Sequence, residues 1–360
     1  MRVLVTGGAG YVGSRLVPEL LRDGHVVVVF DTLWFGNHLE PHVNLAVVKG
    51  DIRDTKHLEI NMKLLDADAI IHLACISNDP SFELDESLSQ TINFECFEPM
   101  VVAAKNAGVS RFIYCSTSSV YGVSDAPDVT EDHPLVPLTL YNTLKGQCEP
   151  LLFKHQSDDF VCTVIRPSTI CGYSPRQRLD LAVNILTNLA YHTGVITVYG
   201  GNQKRPNLHI EDMVDCYRLL LDAPAYQIAG ETFNVGHRNA TIMDLAWLVK
   251  ATMGSLYPEK MVGISVKPIK DERSYQVNSD KIAGVLGFKP KRTVEDAVRG
   301  LCWAFQQGLI SDPLDNDIYY NVRQMHKVWA DVYKNAPPSE FDPAKGHLSE
   351  IDVMYRGAGK

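Results

Sequence analysis

A tyrosine and a lysine stand four residues apart in Tyr141–Asn142–Thr143–Leu144–Lys145, a spacing that puts both side chains on one face of a helix. An ammonium beside a phenol favours the ionised form and draws its pKa down from about 10. A phenol that titrates nearer neutrality can accept a proton from a hydroxyl group, so the pair reads as a general base and its modulator. The same spacing occurs on helix surfaces with no chemical role. Its meaning therefore depends on what the rest of the chain places beside it.

The elements that would do so begin at the first residues. Val3, Leu4 and Val5 form a short apolar run, as a central parallel strand covered on both faces requires. Thr6–Gly7–Gly8–Ala9–Gly10–Tyr11–Val12–Gly13 follows at once. Gly7 permits a tight turn, Gly10 lets the backbone approach a pyrophosphate, and Gly13 lets the next helix pack closely on the strand. The free N–H groups at the start of that helix then face the phosphates. A second strand over His25–Phe30 runs into Asp31, where a carboxylate can accept both hydroxyls of an adenosine ribose. It would repel a 2′-phosphate, so Asp31 favours NAD over NADP. Strand, glycines, helix, strand and acid occur in the order a dinucleotide grip needs.

Further strands are expected over Leu45–Lys49, Ala69–Ala74, Arg111–Cys115 and Val161–Arg166, with a helix over Ser89–Asn106. This alternation implies an α/β fold with a Rossmann-type doubly wound parallel sheet. The loop Cys75–Ile76–Ser77–Asn78–Asp79–Pro80 falls at the sheet edge where such folds bind ligands. Asp51, beyond the third strand, is placed either for an adenine amino group or for capping the following helix. Later come strands over Val195–Tyr199 and Thr232–Val235, and a turn over Gly200–Pro206 carrying Lys204 and Arg205. A helix over Thr241–Met253 has Thr241 placed to cap it.

A chain of 360 residues is long enough for two lobes. Its 45% hydrophobic and 21% charged content are those of an ordinary globular enzyme. A net charge of −9 without a basic run argues against nucleic-acid and anionic-membrane partners. No apolar run approaches a membrane span, and the opening strand leaves no room for a signal peptide, so a cytoplasmic location is expected. The eight cysteines are scattered without a C-x-x-C pair and read as reduced thiols. Neither they nor the twelve histidines show metal-ligand spacing, so no metal is expected.

With these pieces in order, the chain resembles the extended short-chain dehydrogenase/reductase family, specifically its NAD-dependent sugar-nucleotide epimerases and dehydratases, over residues 1–300. Gly7, Gly10 and Gly13 match the family's G-x-x-G-x-x-G, and Thr117, Tyr141 and Lys145 match its Ser/Thr, Tyr and Lys trio. Asp31 matches the ribose acid, and Asp51 with Ile52 matches the adenine-binding pair. The resemblance implies further cofactor contacts from Tyr11, Val12, Leu73, Ala74 and Pro167. It implies substrate contacts from Ser77, Ser118, Ser119, Asn184, Arg205 and Arg273, with Asn184 and the two arginines on the nucleotide diphosphate. A solvated loop charge is the alternative for Arg205. The resemblance also implies a homodimer joined by a four-helix interface, built from helices 93–106 and 141–153 of each subunit.

The lobes interleave: residues 1–173 form the cofactor domain, to which 207–236 return, and 174–206 with 237–311 form a smaller nucleotide-sugar lobe. A C-terminal extension, 312–360, carries Tyr319, Tyr320, Trp329 and Tyr333 and could wrap over its own subunit or reach a partner. Ala336–Pro337–Pro338 and Gly357–Ala358–Gly359 read as unstructured ends.

The chemistry implied by the resemblance is reversible oxidation of a sugar hydroxyl through a transient ketosugar. Tyr141 takes the proton, Lys145 lowers its pKa and orients the nicotinamide ribose, Thr117 hydrogen-bonds the same oxygen, and hydride passes to NAD. Dehydratases of the family carry Asp–Glu, or at least Glu, directly after the threonine, where this chain has Ser118 and Ser119. Thr169 stands where an asparagine is frequent, and Ser77–Asn78–Asp79 departs from the lysine-containing loop of the common UDP-galactose 4-epimerases. The leading expectation is an epimerase like the UDP-hexose 4-epimerases, ahead of a 4-ketosugar reductase and an atypical dehydratase. A non-enzymatic dinucleotide sensor is the remaining class, and the Tyr–Lys pair argues against it.

Overall fold

The computed structural model describes residues 1–124, 126, 128–268 and 274–334, with side chains in the last helix described through Trp329. Its strands are β1 (Arg2–Thr6), β2 (Val26–Asp31), β3 (Leu45–Lys49), β4 (Ala69–His72), β5 (Arg111–Cys115), β6 (Val161–Pro167), β7 (Thr169–Cys171), β8 (Val195–Tyr199), β9 (Lys204–His209), β10 (Glu231–Val235), β11 (Arg238–Thr241) and β12 (Gly263–Lys267). Seven of them form the main sheet in the order β10-β6-β5-β4-β1-β2-β3, with every neighbouring pair parallel. The order reverses at β1, and a crevice opens there outside the carboxyl ends of β1 and β4.

Alternation along each strand explains why both faces are closed. Val3 and Val5 enter one core with Leu16, Leu20 and Tyr217, while Leu4 between them enters the other with Phe97, Met100 and Leu144. Each fully buried side chain of this kind contributes about 1.5–3 kcal/mol relative to exposure. A smaller lobe packs helices Ala182–Thr193, Ile242–Leu256 and Val294–Gln306 against β8 and β12. Thr241 caps the second of these in a reciprocal box with Asp244.

Two expectations needed correction. The helix expected over Ser89–Asn106 is divided: Glu86–Gln90 and Phe97–Asn106 are α-helical, and Thr91–Glu95 between them is a π-helical turn. This turn faces Asn93 inward, where Oδ1 accepts from Ile76 N at 2.8 Å and Nδ2 donates to Ile76 O at 2.9 Å. A widened turn keeps the apolar count, so periodicity alone does not reveal it. The expected turn over Gly200–Pro206 already contains the start of β9, at Lys204. Pro206 lies outside the part of β9 that β7 pairs, so its missing N–H leaves that ladder intact.

The C-terminal helix Asn321–Lys334 lies on its own subunit. Met325 and Trp329 enter the cofactor-lobe core beside Trp34, Phe35 and Phe82, and Gln324 Nε2 donates to Trp34 O at 3.0 Å. The Tyr333 side chain and both proposed unstructured ends lie outside the described residues. Among the described residues, no helix is long and apolar enough to cross a membrane.

Candidate active site

A cavity of about 920 Å³ occupies the crevice, walled by the glycine loop, by Leu73–Ala74 after β4, by Thr117 after β5 and by Pro167 at the end of β6. The small lobe and the C-terminal segment complete it through Arg205, Tyr275, Tyr320 and Asn321. Mixed apolar walls with a few convergent polar groups suit a nucleotide-sized ligand.

The glycine loop has steric reasons for its composition. Gly7 has φ +71°, and a Cβ there would lie 2.6 Å from Ala74 N. A Cβ on Gly13 would meet Gly8 O at 2.4 Å, so the first helix, Gly13–Arg22, packs on the turn after β1 only through glycine. No side chain caps that helix; Ser14 N and Arg15 N are taken by Gly10 O and Val12 O, so an anion would meet the positive end of the helix dipole at the glycine turn ahead of them. Asp31 Oδ2 accepts from Ala9 N at 3.0 Å and Oδ1 from Leu33 N at 2.8 Å. Burial pushes this carboxyl up while the two N–H groups oppose the shift. Each oxygen still has a lone pair for a ribose hydroxyl.

Asp51 faces the cavity with Ile52 and is paired with Arg53, whose Nη2 donates to Oδ2 at 2.6 Å. Burial works to raise Asp51, but Arg53 outweighs it and the carboxyl lies below its usual range. The capping reading of Asp51 is not what the structure has: Asp54 caps helix Thr55–Leu65 by accepting from His57 N at 3.0 Å. An uncapped helix start, a carboxylate at the end of β2 and the Asp51–Ile52 wall fit the diphosphate, ribose and adenine of NAD. Gly7, Gly10, Tyr11, Val12, Gly13, Leu73, Ala74 and Pro167 all line the same cavity.

Tyr141 and Lys145 lie on helix Leu140–Phe153, capped by Thr139. The Lys145 ammonium is buried, donates to Cys115 O and sits 4.5 Å from the Tyr114 ring centroid. Burial pushes the Tyr141 phenol well above 10, Cys75, Asp79 and Cys115 add to this, and Arg178 opposes it. The expected lowering by Lys145 is therefore not found in this arrangement: desolvation dominates, and the lysine is engaged with a backbone carbonyl.

Thr117 caps the short turn Ser118–Tyr121, and its Oγ1 lies 2.7 Å from Ser119 Oγ. Ser119 Oγ donates to Asn142 Oδ1 at 2.6 Å, so Thr117 is the donor of the first contact. Asn142 Nδ2 donates to Thr139 Oγ1 at 2.7 Å, and Thr139 Oγ1 donates to Asp79 Oδ1 at 2.6 Å. A continuous string thus runs from Thr117 to Asp79. Thr117, Ser118, Ser119, Tyr141, Lys145 and Asp79 all reach the cavity wall.

On the substrate side, Ser77 Oγ accepts from Arg178 Nη1 at 3.1 Å and from Asn321 Nδ2 at 3.0 Å. Arg205 lies on β9 at the cavity wall, 5.6 Å from the Tyr275 ring centroid. Asn184 is placed elsewhere: it is fully buried, accepts from Gly172 N at 3.0 Å and donates to Tyr11 OH at 3.0 Å and Arg178 O at 2.8 Å. With both ends engaged, its side chain joins the loop after β7 to the glycine loop and does not face the diphosphate. Arg273 lies outside the described residues. Sequence reading passed over Asp79, Arg176, Arg178, Asp180 and Asn321 as site residues. Three charges within Arg176–Gln177–Arg178–Leu179–Asp180, between two lobes, were a signal for the loop. Asn321 carried none.

Residues 3–236 match the NAD dependent epimerase/dehydratase family. The chain is 27% identical over 327 residues to the UDP-glucose 4-epimerase of Lactobacillus helveticus, covering 85% of this chain and 97% of that protein. It is 29% identical over 315 residues to the dTDP-D-glucose 4,6-dehydratase of Mus musculus, covering 83% and 86%. Among solved structures, a dTDP-glucose 4,6-dehydratase from Streptomyces venezuelae with NAD bound superposes with a TM-score of 0.76 at 25% identity, covering 87% of this chain and 99% of that one. With well over half its length matched and a cavity built to take a dinucleotide, this chain belongs to the NAD-dependent epimerase/dehydratase family of extended short-chain dehydrogenases/reductases.

Proposed function

We propose that the protein is a sugar-nucleotide epimerase resembling the UDP-hexose 4-epimerases, oxidising one sugar hydroxyl to a ketone and reducing it again from the opposite face. One observation carries this reading. Behind Thr117 stand Ser118 and Ser119, and Ser119 is held between Thr117 and Asn142. Elimination of water needs an acid and a base at neighbouring carbons, and this place offers hydroxyls and an amide. Asp79, the carboxylate in the string, accepts from Thr139 and Asn142.

In this reading Tyr141 accepts the proton of the sugar hydroxyl and returns it when the ketone is reduced. Burial holds this phenol well above 10, so in this reading it first releases its own proton to solvent, and once ionised it is a strong acceptor. Thr117 orients the same oxygen, and Lys145, held on Cys115 O over the Tyr114 ring, takes the nicotinamide ribose in this reading. NAD, along the glycine loop, supplies the hydride acceptor and donor. The test is isotope fate: a nucleotide sugar deuterated at the oxidised carbon should keep its label through many turnovers with no added reductant. A requirement for external NADH would identify a ketoreductase, and release of a dehydrated ketosugar a dehydratase.

We also infer a homodimer through helices Phe97–Asn106 and Leu140–Phe153. They lie side by side, bridged by Glu98 to Lys154 at 2.7 Å and to His155 at 2.9 Å, and Val102 and Leu140 remain exposed on them. Sedimentation equilibrium should give twice the chain mass, and a monomer at micromolar concentration would refute the interface. A cytoplasmic location accords with eight free thiols, and cell fractionation tests it.

A further inference from the structure

The loop after β7 is fastened to the start of the first helix. Ser174 Oγ donates to Tyr11 O at 2.7 Å, and Arg176 N donates to Ser14 Oγ at 3.2 Å. The Arg176 side chain is only 3% exposed, yet it lines the cavity. Its Nη2 donates to Asn321 Oδ1 at 2.6 Å, and its Cζ lies 3.9 Å from the Phe35 ring centroid. Nε is buried with no partner. Among the described residues, no carboxylate lies within ion-pair distance of this guanidinium.

A buried cation with no carboxylate in direct contact is unfavourable. Burial, with Arg178 adding to it, pulls Arg176 down to about 9, although Asp180 and Asp31 oppose the shift from a distance. An anion in the cavity would relieve it. The nearest structural feature built for one is the uncapped helix start that Arg176 N touches through Ser14. A helix end offers roughly half a positive charge, against two negative charges on a dinucleotide diphosphate. One guanidinium brings the site close to neutrality.

We propose that Arg176 is the counter-charge for the diphosphate of the bound dinucleotide, and that Asn321 of the C-terminal segment is the positioning residue that holds it there. Several features place it on the cofactor side and away from the substrate diphosphate: its anchors Tyr11 and Ser14 belong to the glycine loop and its helix, and Phe35 follows β2 and Asp31. Asn321 also donates from its backbone N to Asp180 Oδ2 at 3.1 Å and from Nδ2 to Ser77 Oγ at 3.0 Å. The cofactor site is therefore complete only when the C-terminal segment is seated, as suits an enzyme that keeps its dinucleotide between half-reactions. The inference rests on the cofactor half of the proposed function alone.

Calorimetric titration of the full-length, nucleotide-stripped protein with NAD, adenosine and UDP tests it. Arg176→Met should weaken NAD roughly 10- to 100-fold while leaving adenosine and UDP unchanged. The melting temperature of the nucleotide-free variant should not fall, because methionine fills similar space and removes a buried charge that has no direct ion-pair partner. Asn321→Ala should weaken NAD several-fold with adenosine unchanged, and it decides the matter if Arg176→Met fails to fold. Unchanged NAD affinity in both variants overturns the proposal. So does a loss confined to UDP, which would assign Arg176 to the substrate, or an equal loss on adenosine and NAD with a lowered melting temperature, which would make it structural. Wild-type protein that binds no NAD would overturn the proposed function instead.

Discussion

Arg166 and Glu149 form an ion pair sealed inside the protein, with Nη2 donating to Oε2 at 2.6 Å and Nε to Oε1 at 3.0 Å. Glu149 lies one turn beyond Lys145 on helix Leu140–Phe153, and Arg166 stands on β6 directly before Pro167. Ser116 Oγ also donates to Glu149 Oε1 at 2.6 Å, and Arg166 Nη1 donates to Tyr121 OH at 2.7 Å. The pair therefore locks the helix of Tyr141 and Lys145 to the segments that carry Thr117 and Pro167.

Removing one partner strands the other charge. Glu149→Ala should lower unfolding free energy by about 3–5 kcal/mol and reduce turnover through lost alignment. Urea denaturation checks it, and a loss below about 1 kcal/mol, the scale of an exposed pair, would show that the pair holds little.

Tyr141→Phe keeps the ring that packs 6.1 Å from Phe82 and removes the proton acceptor. Folding and NAD affinity should persist while turnover falls roughly 100-fold or more. Thr117→Val should slow turnover with little change in NAD affinity, and Lys145→Ala should impair both. Full activity of Tyr141→Phe on a verified substrate would sink the catalytic assignment.

Asp31→Ser should weaken NAD and relax exclusion of NADP, since the carboxylate that repels a 2′-phosphate is gone. Because Asp31 also ties down Ala9 N and Leu33 N, the variant should lose some thermal stability as well. Equal affinities of the unmodified protein for NAD and NADP would remove Asp31 from this role.

His72 is buried against Tyr114, with Nδ1 2.6 Å from Thr6 Oγ1, and burial lowers it from 6.5 to about 3. Between those values the unfolded chain binds a proton here that the folded chain refuses. Stability from this group is thus fully present above pH 6.5 and falls by about 1.4 kcal/mol per pH unit below it. Unfolding free energies from urea denaturation across this window should show a pH slope shallower by that amount in His72→Gln. An unchanged slope would mean the folded protein protonates His72.

Trp329→Ala tests whether the C-terminal helix belongs to the core. Its ring is buried in the cofactor-lobe cluster, so truncation should lower stability by about 3–5 kcal/mol and weaken NAD binding. An effect within about 0.5 kcal/mol, typical of a surface change, would show that the helix docks loosely.

The parallel sheet and the glycine loop were legible in the sequence because each rests on neighbours along the chain: apolar runs that must be covered on both faces, and glycines where a Cβ has no room. The same holds for Asp31 at the end of β2 and for the cap Thr241. Tertiary structure alone decided what depends on distant partners. It buried Asn184 between two loops, turned Asn93 inward through a π-helical turn, and strung Thr117, Ser119, Asn142, Thr139 and Asp79 together. It set the direction of the Tyr141 shift, because desolvation depends on everything packed around a group and Lys145 is only one neighbour. It also brought Asn321 to Arg176 across 145 residues of chain, a contact that no local pattern encodes because folding, and not spacing, brings its two ends together.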